Sequence, residues 1–299
     1  MKKLLRILVL TVVLAVLGLT VPDSTVRPAE MALVKINTAS AVDSGGQDML
    51  WILMVGSDAR PGENMTRSRG DALQLVGINT RTGAAAAIGV PRDSWVDIPG
   101  FGYSKINASM VYGGPQLLGR TIGNLVGVQP QYVFVTRFQS FINMVNAIGG
   151  VDVQNPTPFS DDVLHRDPFP RGKIHLKGYS AMAFSRIRHS LPGGDFDRSR
   201  NQERVMKAIV TKIVQRADQP GFLAHGVTTV MKNLDTNLGP GELYRLAEVA
   251  AHVVPSKITS CVVQGSIGDI AGQSVVRPYV SAARRYGNDA RRDGTIKHC

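Results

Sequence analysis

The chain has 299 residues, 43% hydrophobic and 19% charged, which is enough apolar material for a large core and too little charge for a disordered polypeptide. A net charge of +11 and a pI near 9.9 leave nucleic acid, an anionic membrane surface and an anionic substrate open as partners. Two cysteines without Cys-x-x-Cys or Cys/His spacing argue against zinc.

The basic head Met1-Lys2-Lys3-Leu4-Leu5-Arg6 is followed by an uncharged run from Ile7 to Val21. Residues 1–21 therefore read as a secretory targeting segment. An uncleaved signal-anchor, a single transmembrane span, is preferred over a cleaved signal. Val21-Pro22-Asp23 is a poor cleavage site, and Ala39-Ser40-Ala41 lies far downstream. The positive head predicts a cytoplasmic N-terminus with the rest of the chain outside, which argues against DNA. Outside the cytoplasm, Cys261 and Cys299 are able to pair, worth roughly 4 kcal/mol for so long a loop; the alternative is one buried thiol and one frayed one.

Residues 22–48 read as an extracytoplasmic tether, rich in Pro, Ser and Gly. The folded domain is predicted over 49–276. It opens with the apolar run Met49 to Val55, a strand with both faces covered, whose end at Gly56 exposes Ser57 and Asp58. Further strands are predicted over Ala72–Ile78, Ala84–Val90, Tyr132–Val135, Val151–Val153 and Ile258–Val263. Helices are predicted over Ser104–Tyr112, from Pro115 to Leu125, and over Phe138–Ile148, Lys177–Arg186, Asp197–Ala217 and Glu242–Val253. Residues 155–172 and 188–194 read as loops, and 277–299 as a basic, loosely held extension. The alternation of strands and helices predicts an α/β or α+β layering around one sheet.

Chemistry concentrates at the ends of these elements. Asp58 and Asp71 bracket neighbouring strands and are candidate ligands for a divalent cation, which takes one or two carboxylates plus water and phosphate oxygens; the alternative is turn capping or pairing with Arg60 or Arg69. Arg69, Arg92, Arg186, Arg188 and Arg198 offer planar forks suited to phosphate. Arg186 and Arg188 face the same way only if the helix ends near Arg186. Arg198 and Gln202 share a face in the first turns of the longest helix, where the dipole favours an anion. Asp195 precedes them as a cap or proton acceptor. Gly114 to Thr121 nearly spells a nucleotide-binding loop but lacks its lysine and its preceding strand, so a helix start is the better account.

The ordered set Gly56-Ser57-Asp58-Ala59-Arg60, Arg69-Gly70-Asp71-Ala72, Val90-Pro91-Arg92-Asp93, Lys105-Ile106-Asn107-Ala108, Ile148 to Val153, Leu176-Lys177-Gly178, Phe184 to Arg188 and Asp195 to Arg198 with Gln202 resembles the LytR-CpsA-Psr family. The resemblance covers about residues 50 to 217. It implies a three-layer α/β/α sandwich around a central mixed sheet, with an apolar lipid pocket. It also implies transfer of a glycopolymer from a polyprenyl diphosphate carrier to a peptidoglycan hydroxyl, at the cell membrane on its outer side. In that reading Asp58 and Asp71 hold Mg2+ or Mn2+. Arg69, Arg92, Arg186, Arg188 and Arg198 bind the diphosphate with Gln202 in support, and Asp195 orients an arginine or moves a proton. The general base is either Asp195 or Asp58. Phe134, Phe138, Phe141, Ile142 and Val145 are pocket walls or ordinary core. Gly70, Ala72 and Asn201 depart from the family pattern, which commonly has serine, threonine and arginine there. Two rival functions stand beside transfer: a polyprenyl-diphosphate hydrolase on the same site, and a membrane-anchored non-enzymatic regulator or binding protein.

Overall fold

The computed structural model describes residues 31–37, 48–217, 219–222 and 234–299. The expected anchor and most of the expected tether lie outside them. Among the described residues no helix is long and apolar enough to cross a membrane.

Seven strands form a mixed central sheet in the order Leu234–Thr236 (β12), Met31–Lys35 (β1), Tyr132–Arg137 (β7), Met49–Ser57 (β2), Gly70–Asn79 (β3), Ala85–Gly89 (β4) and Ile258–Val262 (β13). β2 lies at the centre, antiparallel to β3 and parallel to β7. Along β2, Met49, Trp51, Leu53 and Val55 are buried on one face, and Leu50 and Ile52 pack in a second apolar cluster. Both faces of the strand are thus covered, as an unbroken apolar run requires. Trp51 is accommodated because Gly77 stands opposite it. A Cβ there would lie 2.6 Å from the indole ring.

One face of the sheet carries helices Ala108–Val126 (α1) and Val280–Asp293 (α6). They contribute Met110, Leu118, Ile122, Ala283, Tyr286 and Ala290 to the main core. The other face carries Asp195–Ala217 (α4) and Pro240–Ala251 (α5), whose Val210, Leu243 and Val249 meet Val76, Ile78 and Ile52. The result is the expected three-layer sandwich. Inside α1, Gly114 takes φ 65° and ψ −159°, and Pro115 restarts the helix, so the sequence signal for a break is present as a kink. A separate apolar cluster joins Phe138–Ala147 (α2), Gly178–Arg186 (α3), Val151–Asn155 (β8) and Gly172–Leu176 (β11) to the start of α4.

Four expectations are corrected. The tether contains β1, because Met31, Ala32 and Leu33 are apolar enough to pair with β7 and be buried. The tail is not loose. Gly265–Ile270 (β14) and Gln273–Pro278 (β15) form a hairpin, α6 packs on α1, and Cys299 is bonded to Cys261 across 38 residues. Only a narrow stripe of α6 is apolar, which hid its core face among arginines. The predicted helix from Ser104 begins instead at Ala108, because Gly102–Lys105 (β6) pairs with Trp95–Ile98 (β5). The predicted loop 155–172 holds Phe159–Asp161 (β9) and His165–Phe169 (β10), anchored by tilted and edge-to-face ring contacts among Phe159, Phe169 and Phe184.

The layer between sheet and α4/α5 leaves an apolar cavity of about 40 Å³, bordered by Ile78, Ala86, Met206 and Val253. Phe134, Phe138, Phe141, Ile142 and Val145 do not border it. Val145 and Phe141 belong to the cluster under α3, and Phe134 to the one against α5. Glu203 does border it, 7% exposed, with Oε1 lacking a hydrogen-bond partner. Burial pushes its carboxyl up from 4.5 to about 8; Ser260, the Gly89 backbone, Arg204 and Arg200 offset only part of this. A raised folded pKa means stability is full below pH 4.5 and is lost as pH rises toward about 8. Glu203→Gln is expected to remove that slope, stabilising the chain by roughly 3 kcal/mol near neutral pH and little at pH 4. Urea unfolding of both proteins at several pH values checks this.

Candidate active site

β2 delivers the first acid. A bulge between Gly56 and Ser57 shifts its register against β3, and Asp58 N–H donates to the Arg69 carbonyl at 3.1 Å. Asp58 therefore leaves one strand where Asp71 enters its antiparallel neighbour. The two carboxylates act on each other: burial raises the Asp58 pKa, and Asp71 raises it further, against the pull of Arg69 and Arg92. Asp71 is 8% exposed.

β4 delivers the first arginine. Gly89 pairs with Gln74, and Val90 N–H bonds the Leu73 carbonyl. Two residues on, Arg92 donates from Nη1 to Asp71 Oδ1, with Asp93 Oδ2 at 3.8 Å from its Nε. Asp71 also faces Arg186, Nη2 to Oδ2 at 3.7 Å. Asp93 is a second node, meeting Lys105 Nζ at 3.2 Å and Arg188 Nη1 at 3.5 Å.

α3 ends at Arg186, and Ile187 is extended at φ −60°, ψ 133°. Arg186 and Arg188 thus meet the condition for facing one side. The Arg186 guanidinium lies over the Phe138 ring, 4.1 Å from its centroid. α4 then presents Asp195, Arg198 and Gln202 along one face. Arg198, 5% exposed, pairs with Asp195, whose Oδ1 is also 3.9 Å from Arg188 Nη1. Burial raises the Asp195 pKa, with Arg198 opposing; burial lowers that of Arg198, with Asp195 opposing. Gln202 Nε2 donates to the Ser185 carbonyl at 3.2 Å.

Asp71, Arg92, Arg186, Arg188, Arg198 and Gln202 border one cleft of about 190 Å³. Asp58 stands beside it, coupled electrostatically to Asp71, Arg69 and Arg92, and Arg69 is exposed. Asp195 lies beneath, against Arg188 and Arg198. Residues from five segments of the chain are so brought together. Asp93 and Lys105 were given no role at the site by the sequence, and Phe138 was read as pocket wall or core, not as the support of Arg186. Only the Arg92-Asp93 adjacency and the Lys105-Ile106-Asn107 motif pointed toward the first two. Asp161 and Leu164, from the segment read as a loop, form another wall.

Four guanidinium groups around a cleft form a cradle for a multiply charged anion such as a diphosphate. The half-buried Asp58 and buried Asp71 supply hard oxygen donors that oppose each other until a cation or proton intervenes. That fits a divalent ion completing its shell with water and phosphate. No group of three or more His, Cys, Asp or Glu side chains exists among the described residues to form an all-protein cage.

The chain matches the LytR_cpsA_psr family over residues 23–289. The polyisoprenyl-teichoic acid–peptidoglycan teichoic acid transferase TagU of Bacillus anthracis (strain CDC 684 / NRRL 3495) is 34% identical over 194 residues. The match takes in 64% of this chain and 62% of that relative, so less than two thirds of its length. The crystal structure of B. subtilis TagU is 26% identical with a TM-score of 0.61, covering 85% of this chain and 99% of that one. The structure of TagT bound to LI-WTA is 25% identical with a TM-score of 0.65, covering 85% and 94%.

Removing Asp195 would leave Arg198 buried without its partner. Asp195→Ala is expected to lower unfolding free energy by about 3 kcal/mol, and Asp195→Ala/Arg198→Leu to recover part of that loss. Chemical denaturation of the three proteins reads the coupling.

Proposed function

Because the chain belongs to the LytR_cpsA_psr family, we propose that it transfers a glycopolymer from a polyprenyl diphosphate carrier to a peptidoglycan hydroxyl, forming a phosphodiester. The observation that carries this reading is the cleft on which Arg92, Arg186, Arg188 and Arg198 converge with Asp71. A lone phosphate would need fewer cations; two linked phosphates suit four. The relatives support it: the TagU transferase acts on polyisoprenyl-linked teichoic acid, and TagT has been captured with LI-WTA.

In this mechanism the arginines hold the diphosphate oxygens and stabilise charge as it develops. The acceptor oxygen attacks the phosphorus nearest the sugar, the bond to the bridging oxygen breaks, and the lipid monophosphate leaves. Asp58 and Asp71 would hold Mg2+ or Mn2+, which when bound neutralises diphosphate charge and polarises a phosphoryl oxygen. Asp195 is the better base. Burial raises its pKa and so makes it a stronger base than a free carboxylate, and its neighbours Arg188 and Arg198 place it against the cleft. The residues at 1–21 would anchor the domain at the outer membrane face, where the carrier lies, and the apolar layer under α4 would admit part of the lipid.

Arg92→Ala and Arg188→Ala are each expected to lower transfer at least about 100-fold while thermal unfolding stays cooperative. Purified protein with lipid-diphosphate substrate, with and without peptidoglycan, separates transfer from hydrolysis. Release of lipid phosphate at equal rates in both arms would make water the acceptor and overturn the transferase reading. Asp58, with a raised pKa, must be ionised to bind a cation. Activity should therefore fail on the acid side, and excess Mg2+ should move that limb to lower pH. A pH–rate profile at two Mg2+ concentrations checks the direction.

A further inference from the structure

Arg137 ends β7 and precedes α2. It is 6% exposed, and no Asp or Glu of the described residues forms an ion pair with it. Its guanidinium instead donates to three main-chain carbonyls of one loop: Nη1 to Ala59 at 3.3 Å and Arg60 at 2.8 Å, and Nη2 to Glu63. That loop links Asp58 to the short 3-10 turn Met65–Arg67, and residues 60–64 are all exposed. It has local ties as well: Asp58 N–H donates to the Arg69 carbonyl at 3.1 Å, Glu63 N–H to the Arg60 carbonyl at 3.0 Å, and Ala59 and Met65 are buried at its two ends. Glu63 Oε2 accepts from its Arg60 N–H at 2.9 Å, and Ser57 Oγ donates to the Met65 carbonyl at 2.9 Å. Burying an arginine charge is costly unless strong acceptors surround it, and here the acceptors are the loop carbonyls. Arg137 is also in register with Ser57, the residue before Asp58.

We propose that Arg137 is a positioning residue. It fixes the backbone that carries Asp58 and so sets the affinity for a divalent cation without touching cation or substrate. The proposal rests on the reading that Asp58 holds that cation. Only a planar fork reaches three carbonyls at once; lysine has the charge but not the geometry, and methionine has neither. The next residue, Phe138, supports Arg186 on the phosphate side, so this junction braces both halves of the site through separate contacts.

The test uses the full chain and Arg137→Met, Arg137→Lys, Asp58→Asn and Phe138→Leu. Hydrogen exchange of amides 58–65 reads the loop. Mn2+ binding by electron paramagnetic resonance, without substrate, reads the cation site. The Mg2+ concentration for half-maximal transfer is separated from kcat. Arg137→Met is expected to speed loop exchange about 10-fold, weaken Mn2+ about 10-fold and raise the Mg2+ requirement similarly, with kcat at saturating Mg2+ within about 3-fold of the parent. Arg137→Lys should fall between, and it carries the test if the methionine variant does not fold. Phe138→Leu should leave exchange of amides 58–65 unchanged; an equal speeding there would overturn the proposal. So would unchanged loop exchange in both Arg137 variants. If Asp58→Asn binds Mn2+ as the parent does, the cation reading fails. The exchange data then still decide whether Arg137 orders the loop.

Discussion

The site depends on a like-charge juxtaposition that the sheet enforces. The bulge at Gly56/Ser57 sets Asp58 against Asp71 across two antiparallel strands, and the hydrogen bond from Asp58 to Arg69 closes the turn. Burial, and then the neighbouring Asp71 charge, make Asp58 hold its proton more tightly than a free carboxylate, against the pull of Arg69 and Arg92. Every other charged group of the cluster answers that constraint. Arg92 and Arg186 approach Asp71 from different elements, and Arg188 reaches Asp93 and Asp195. The arrangement is a network held by the backbone, not a set of surface ion pairs, and it presents excess positive charge to the cleft.

Burial of charge recurs around this centre and takes two forms. Arg198 and Asp195 are buried as a pair, each offsetting the other's desolvation. Glu203 and Arg137 are buried without an opposite charge in contact among the described residues. Glu203 responds by remaining protonated toward neutral pH, whereas Arg137, which cannot readily give up its proton, gathers carbonyls. Both lie one layer behind the cleft. Glu203 is on the helix that carries Gln202, and Arg137 is on the strand beside the one that carries Asp58. Such expense just outside the chemistry is consistent with a site whose geometry is maintained by its supporting shell.

Much of this was legible from local signals. The apolar run from Met49, the break at Gly114-Pro115, the end of α3 at Arg186 and the long helix from near Asp195 all follow from periodicity and from the conformational limits of glycine and proline. The site residues were legible as types, since arginines beside aspartates at element ends suit a diphosphate. What escaped was long-range. β1 was mistaken for tether because a five-residue strand carries little periodic signal. α6 was mistaken for loose tail because its arginines outnumber the few side chains that reach the core. Asp93 and Arg137 passed without a role because each matters through contacts with residues distant in the chain, Arg188 for one and the Asp58 loop for the other.

By itself the sequence determined which segments would be strands and helices in the centre of the chain, and which side chains carried charge suited to phosphate. Those are properties of neighbours a few residues apart, where sterics and hydrophobic periodicity act directly. The tertiary structure alone decided that Arg92, Arg186 and Arg198 converge while Arg69 stays at the rim, that the tail packs back as a helix on α1, and that one buried arginine grips the loop beside Asp58. Those outcomes depend on strand order and register, which arise from packing the whole apolar core and leave no mark on any short stretch of residues.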